Sequence, residues 1–133
     1  MYIINEFNDT IISPLQCKEI LECLIHTIIY IRNGATKFQN VNLEFVNITY
    51  IKTQYDVYSI INSLKLKDNK NIISVIFYDN DLTLDSWIIK FNIDYKKTTI
   101  DKMLEEKITK AIFFIINISQ KLKEFNKFEI SLF

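Results

Sequence analysis

Glycine and proline are almost absent, with one of each among 133 residues. A single glycine cannot form the glycine-rich loop that holds phosphates in nucleotide enzymes. A chain with so little glycine and proline is also a poor candidate for a flexible linker or a disordered segment. Because 49% of the residues are hydrophobic and 24% are charged, the composition is that of a folded chain. Its length predicts one domain spanning residues 1–133.

The sequence has no surplus of charge of either sign, because sixteen basic residues balance sixteen acidic ones. Proteins that bind nucleic acid or anionic membranes usually carry a basic surplus. The longest apolar run, residues 111–116, is far shorter than the roughly 20 residues that span a bilayer. No basic, apolar leader opens the chain. We therefore expect no nucleic-acid partner, no membrane insertion and a cytoplasmic location.

Residues that carry chemistry are also scarce. Cys17 and Cys23 are the only cysteines, and on one helix their Cα atoms lie about 9 Å apart along the axis, too far for a disulfide. His26 is the single histidine and cannot complete a zinc site. We expect two apolar cysteines, a structural or partner-contacting His26, and no metal, cofactor or catalytic site.

Three segments carry helix-start signals. Ser13-Pro14-Leu15-Gln16 resembles a capping box with proline at the first helical position, and predicts a helix over residues 14–32. Thr53 to Asp56 predicts a second helix of about a dozen residues, ending near residues 67–69. Thr98 to Asp101 predicts the longest helix, which runs to about Glu124 with acidic residues near its start and lysines near its end.

The segments between the helices alternate apolar and polar residues with period two, as half-buried strands do. The predicted strands are residues 2–7, 41–51, 72–78, 87–95 and 128–132. Asp79-Asn80-Asp81 predicts the turn of a hairpin. The order of elements predicts an α+β fold in which an antiparallel β-sheet packs against three α-helices on one face. Trp87 and Phe91 are expected in the core.

The third helix has two apolar faces when it is projected at 100° per residue. The core stripe is Leu104, Ile108, Ala111, Ile112, Ile115, Ile118 and Leu122. Phe113 points the opposite way with Ile116 beside it, and uncharged polar residues surround the pair. Such a patch is typical of a docking surface. The candidate partner-binding residues are Thr109, Phe113, Ile116, Asn117 and Gln120. The alternatives are an isoleucine-rich composition that leaves apolar residues outside, and a helix buried on two sides.

Several short blocks follow one another in the order of a known family. They are residues 24–32 with His26-Thr27 and Arg32, Lys37-Phe38, residues 47–52 with Thr49-Tyr50, residues 85–91 with Trp87, residues 106–108 and residues 128–131. Together they resemble the HORMA-domain proteins, and within them the branch involved in autophagy.

The resemblance implies a HORMA fold and a non-enzymatic adaptor of the autophagy-initiation kinase complex, recruited to autophagosome-forming sites. Its partner would be the HORMA domain of autophagy-related protein 13, which it would bind largely through the third helix and stabilise. Residues 79–84 are too few for the projecting Trp and Phe finger of family members. We also expect no peptide capture by closure of a C-terminal safety belt, the mechanism that other HORMA domains use.

Two alternatives stay open at this point. One is another HORMA-type interaction module, such as a spindle-checkpoint protein, which should need a closing belt. The other belongs to a different class, a small ubiquitin-conjugating-like enzyme with Cys17 or Cys23 as nucleophile. The reactivity of the two thiols distinguishes the enzyme from the adaptor.

Overall fold

The computed structural model describes residues 1–32, 35–97, 103–118 and 122–133. Within them, three helices and seven strands follow one another along the chain. The elements are β1 Tyr2–Ile4, β2 Ile11–Ile12, α1 Pro14–Ile31, β3 Phe38–Asn42, β4 Thr49–Thr53, α2 Val57–Ser63, β5 Asn69–Asp79, β6 Leu82–Ile93, α3 Leu104–Ile116 and β7 Lys127–Leu132. The fold class is α+β, as the order of sequence patterns predicts.

The main sheet is built on the β5–β6 hairpin, with β7 antiparallel to β5 at one side. The predicted turn is confirmed: Asn80 adopts φ 55, a left-handed conformation that asparagine tolerates better than most residues. β1 and β2 both pair with β6 in parallel. The expectation of a purely antiparallel sheet is therefore wrong at this edge, since alternation of apolar residues predicts a strand but not its direction.

The segment predicted as one strand over residues 41–51 is two strands. β3 and β4 form a separate antiparallel hairpin, and the chain reverses between them where the Leu43 N–H donates to the Ile48 carbonyl at 2.9 Å. Leu43 and Ile48 are buried in this turn. Their burial explains the error, because apolar residues continue through the turn and imitate the pattern of a strand.

The predicted start of α1 is confirmed, and that of α2 is shifted. Ser13 accepts the N–H of Gln16 through its hydroxyl at 3.4 Å, and Pro14 opens α1. The N-cap of α2 is Asp56, whose carboxylate accepts the Ser59 N–H at 3.1 Å. Thr53, the predicted opening residue of this helix, is the last residue of β4. α2 has 7 residues and is shorter than predicted because the chain is extended from Leu64 onward.

α3 is shorter than its sequence pattern predicts. The predicted start at Thr98 to Asp101 lies outside the described residues, and helix is present from Leu104 to Ile116. Asn117 is the C-cap, with its N–H directed to the Phe113 carbonyl at 2.9 Å. Leu122 and Glu124 are not helical, so the expected end at Glu124 is wrong. Asparagine is a poor helix former and competes for backbone hydrogen bonds, which favours termination here.

α1 lies at the centre of the molecule. It contacts α2, α3, β4 and β6, and most of its side chains from Gln16 to Ile29 are buried. Lys18, Glu19 and Glu22 lie on its partly exposed side. The sheet covers it with Trp87 and Phe91, both buried as predicted. Four residues of the predicted α3 stripe are fully buried: Leu104, Ile108, Ala111 and Ile115.

Arg32 joins the end of α1 to the sheet. Its Nη2 lies 2.9 Å from Oδ1 of Asp85, and both side chains are almost completely buried. The other oxygen of Asp85 accepts the indole N–H of Trp87 at 2.8 Å. The guanidinium lies over the rings of Phe77 and Phe125, 5.0 and 5.4 Å from their centroids. Arg32 is therefore part of the core.

Candidate functional site

The outer face of α3 exposes apolar side chains. Phe113 is 57% exposed and Ile116 54% exposed, while Leu104, Ile108 and Ala111 on the packed side are completely buried. The helical projection therefore places Phe113 correctly, away from the core. Large apolar side chains exposed next to one another are costly in water, because each keeps its surface hydrated.

Polar residues border this exposed pair as the sequence pattern indicates. The Thr109 hydroxyl donates to the Glu105 carbonyl at 2.8 Å, and Asn117 is exposed at the helix end. Gln120, the fifth candidate residue, lies outside the described residues. Phe114 is also exposed and is missing from the predicted patch, because the projection places it between the two faces. The docking face is defined from here on as Thr109, Phe113, Ile116 and Asn117.

An apolar pocket of about 230 Å³ adjoins the docking face, between α1, β4 and α3. Its lining residues are Thr27, Tyr30, Ile31, Thr49, Tyr50, Ile51, Ile112 and Ile116. Ile116 belongs both to the pocket wall and to the docking face. Ile112, expected in the core stripe, is only partly buried because it lies between the core and this pocket. The pocket could accept one apolar side chain next to Phe113.

His26 is a structural residue behind this pocket. The ring is fully buried and stacks on Tyr50. The main-chain N–H of Thr53 donates to Nδ1 at 3.1 Å. Nδ1 is therefore the acceptor, and the proton of the neutral ring is on Nε2, which lies 3.8 Å from Oε1 of Glu22. Burial, with a smaller contribution from the charge of Lys52, lowers the pKa of His26 to about 4. The residue is neutral at pH 7 and has no exposed surface for a partner.

Neither cysteine has the surroundings of a nucleophile. Both thiols are free and buried. Burial raises the pKa of Cys23 to about 12 and also raises the pKa of Cys17. The thiolate is the reactive form, and reactive cysteines lie in partly exposed, electropositive surroundings. The geometry therefore removes the support for an enzyme that uses Cys17 or Cys23.

Metal ligands and relatives give no further indication of function. In the part of the chain that the structure describes, no three His, Cys, Asp or Glu side chains are grouped so that they could hold a metal ion. None of the described helices is long and apolar enough to cross a membrane. No protein-family model matches the sequence, and no curated protein matches it.

Proposed function

We propose that this chain is a non-enzymatic, HORMA-type adaptor that resembles autophagy-related protein 101. In this proposal the docking face of α3 binds the HORMA domain of autophagy-related protein 13 within the autophagy-initiation kinase complex. The adaptor stabilises that domain in the cytoplasm and is recruited with it to autophagosome-forming sites. The observation that carries the proposal is the exposure of Phe113 and Ile116 on a helix whose other side is completely buried.

The positions of the family-like blocks support this proposal. Residues 24–32 form the end of the central helix α1, residues 85–91 lie within β6, and residues 128–131 lie within β7. His26 and Trp87, which belong to these blocks, are both buried.

The energetics of the docking face also favour a protein partner. Fully burying one large apolar side chain contributes roughly 1.5–3 kcal/mol. Aromatic residues near the centre of an interface commonly dominate the binding free energy. Phe113 is available as such an anchor, and the adjoining pocket offers room for an apolar side chain of the partner. Anchor and pocket side by side suit a helix packed against α3.

The β5–β6 hairpin limits what the adaptor does. Asn80 and Asp81 alone connect the two strands, so this connection has no room for a projecting aromatic finger. Recruitment of downstream factors by such a finger is therefore not part of the proposed function. The adaptor acts by pairing and stabilisation.

Phe113→Asp tests the proposal directly. We expect this change to weaken binding to the HORMA domain of autophagy-related protein 13 by at least about 2 kcal/mol, since a charge would be buried at the interface. Stability of the isolated chain should change by less than about 0.5 kcal/mol, as is usual for an exposed position. Titration calorimetry measures the binding, and thermal unfolding measures the stability.

Leu82→Asp is the matched control, since Leu82 is 59% exposed on β6 and lies outside the docking face. It should leave both binding and stability nearly unchanged. Unchanged binding by Phe113→Asp, or unfolding of that variant, would show that the docking face is elsewhere or that Phe113 belongs to the core. Affinity purification of the tagged chain from its own cells tests the cellular part. If no kinase co-purifies, the assignment to the kinase complex fails, and pairing with a different HORMA protein would indicate another adaptor of this type.

A further inference from the structure

A second cleft lies between α1, α2 and the loop that joins β3 to β4. Its volume is about 570 Å³. None of its lining residues belongs to the docking face or to the pocket beside it. The proposed function makes no use of this cleft, so a ligand bound there is independent of whether the docking face binds a HORMA domain.

The cleft carries an excess of negative charge. Glu19 and Glu22 line it from α1 and Glu44 from the loop, with Lys18 the one cationic side chain among the lining residues. Lys52 pairs with Glu22 at 3.6 Å from outside the lining. Partial burial, and then the charges of Glu44 and Glu22, raise the pKa of Glu19. The carboxylates therefore repel one another, and the cleft attracts a cation.

Gln16 adds a buried acceptor that lacks a donor. This residue lines the cleft, is 7% exposed, and its Oε1 has no hydrogen-bond partner among the described residues. In a complete capping box the glutamine side chain would bond back to the N-cap residue. Here the Ser13 hydroxyl accepts the Gln16 N–H, but the Gln16 amide oxygen does not accept a hydrogen bond from Ser13 in return. A buried acceptor without a partner costs free energy, which a ligand N–H would recover once the Gln16 amide turns its enclosed oxygen into the cleft.

We propose that this cleft binds an arginine side chain presented by another polypeptide. A guanidinium has five N–H donors in one plane, enough to bond carboxylates and the Gln16 oxygen at the same time. Its flat faces stack on aromatic rings, and Phe45 and Tyr58 both line the cleft. A lysine ammonium has no such face and only three donors.

A second copy of this chain cannot supply the arginine. Arg32 is the only arginine in the 133 residues, and it is buried in the ion pair with Asp85. The occupant is therefore a different polypeptide with an exposed arginine. The excess of carboxylates in the cleft is electrostatically complementary to a polypeptide segment with an exposed arginine.

The experiment is an NMR titration of the full ¹⁵N-labelled chain with a short blocked peptide that has one central arginine. Identical peptides with lysine or with neutral citrulline at the centre are the ligand controls. We expect saturable shifts at the backbone amides of Glu19, Glu44 and Tyr58. The lysine peptide should bind at least about fivefold more weakly, because it lacks the planar fork. The shifts caused by the citrulline peptide should not saturate, because citrulline carries no charge.

Two variants test the residues themselves. Glu19→Gln and Gln16→Leu should each weaken binding of the arginine peptide at least about fivefold. The first removes a negative charge from the contact, and the second removes the amide acceptor. Neither should lower the melting temperature, because one removes a repulsion and the other a buried unsatisfied oxygen. Glu124→Gln, an exposed carboxylate outside the cleft, is the control and should bind as the original chain does.

Four results would overturn the inference. The first is shifts that do not saturate or that scatter over the surface. The second is equal binding of the arginine and lysine peptides. The third is equal weakening by Glu124→Gln and Glu19→Gln, which would indicate attraction to net charge only. Shifts confined to α3 would likewise contradict the cleft as the binding site. None of these results affects the test on Phe113, so the two proposals fail independently.

Discussion

Removal of the Asp85 carboxylate should be among the most damaging single changes in this chain. In Asp85→Ala, the guanidinium of Arg32, only 1% exposed, would stay buried without its counterion. Breaking a buried ion pair by deleting one partner costs about 3–5 kcal/mol. The indole N–H of Trp87 also loses its acceptor, which adds about 1 kcal/mol or more. The rings of Phe77 and Phe125 contact the cation in the original chain and in the variant alike, so these contacts do not reduce the loss.

The net expectation for Asp85→Ala is a loss of at least about 4 kcal/mol, a large share of the roughly 5–15 kcal/mol by which domains are stable. Urea unfolding followed by circular dichroism measures it. With a slope of about 2 kcal/mol per molar, the midpoint should fall by about 2 M while the slope stays constant. Asp85→Asn keeps an acceptor for Trp87 and should be the milder change.

The double variant Arg32→Met with Asp85→Ala separates the ion pair from general disturbance of the core. Because it leaves no charge unpaired, it should cost at least about 1 kcal/mol less than the two single changes added together. A loss below about 1 kcal/mol for Asp85→Ala, or strict additivity in the double variant, would refute the reasoning. The Arg32–Asp85 contact would then be an ordinary surface pair.

Two further predictions concern titratable groups inside the core. The pKa of His26 is about 4 in the folded chain against an ordinary value of 6.5, so between these values the unfolded chain binds more protons. Stability should therefore fall by up to about 3 kcal/mol as pH drops from 6.5 to 4, and His26→Gln should remove that part of the pH dependence in urea unfolding. Cys17 and Cys23 should react with a thiol reagent such as dithiobis-nitrobenzoate only after denaturation, since both are buried; fast reaction of either thiol in the native chain would restore the case for a cysteine enzyme.

Local signals in the sequence predict the elements whose boundaries local chemistry determines. Ser13 and Pro14 begin α1 through their own hydroxyl and ring, and Asn80 allows the two-residue turn between β5 and β6. The burial of Trp87 follows from period-two alternation, which depends only on neighbouring residues. These features need no knowledge of the rest of the chain.

Features that depend on tertiary contacts could not be predicted in this way. The parallel direction of β1 depends on which strand it meets, and the turn between β3 and β4 is filled by apolar residues such as Leu43. Arg32 has the sequence position of a solvated helix-end cation, yet Asp85 lies opposite it in the folded chain. The spacing of residues in the sequence does not indicate that Arg32 and Asp85 come into contact.

The candidate site likewise has one feature that the sequence predicts and others that depend on tertiary contacts. Exposure of Phe113 follows from helical periodicity within α3, so it is predictable from the sequence. The adjoining pocket combines side chains of α1, β4 and α3, and the carboxylate-lined cleft combines α1, α2 and a loop. Glu19 and Glu44 are separated by 25 positions, and nothing local indicates that they share one cleft.

The parallel pairing of β1 with β6 also determines when the N-terminal strand can fold during synthesis on the ribosome. Tyr2 of β1 lies opposite Trp87, and Ile12 of β2 lies opposite Ile93, so neither strand can pair until the later strand β6 has been synthesised. Pairings this distant in sequence slow folding, because the loop must close before they form. Until β6 emerges, Ile4 and the other apolar side chains of the N-terminal segment have no sheet to cover them, and the nascent chain is open to aggregation. A chaperone that shields the growing chain would therefore matter most before the β5–β6 hairpin is complete.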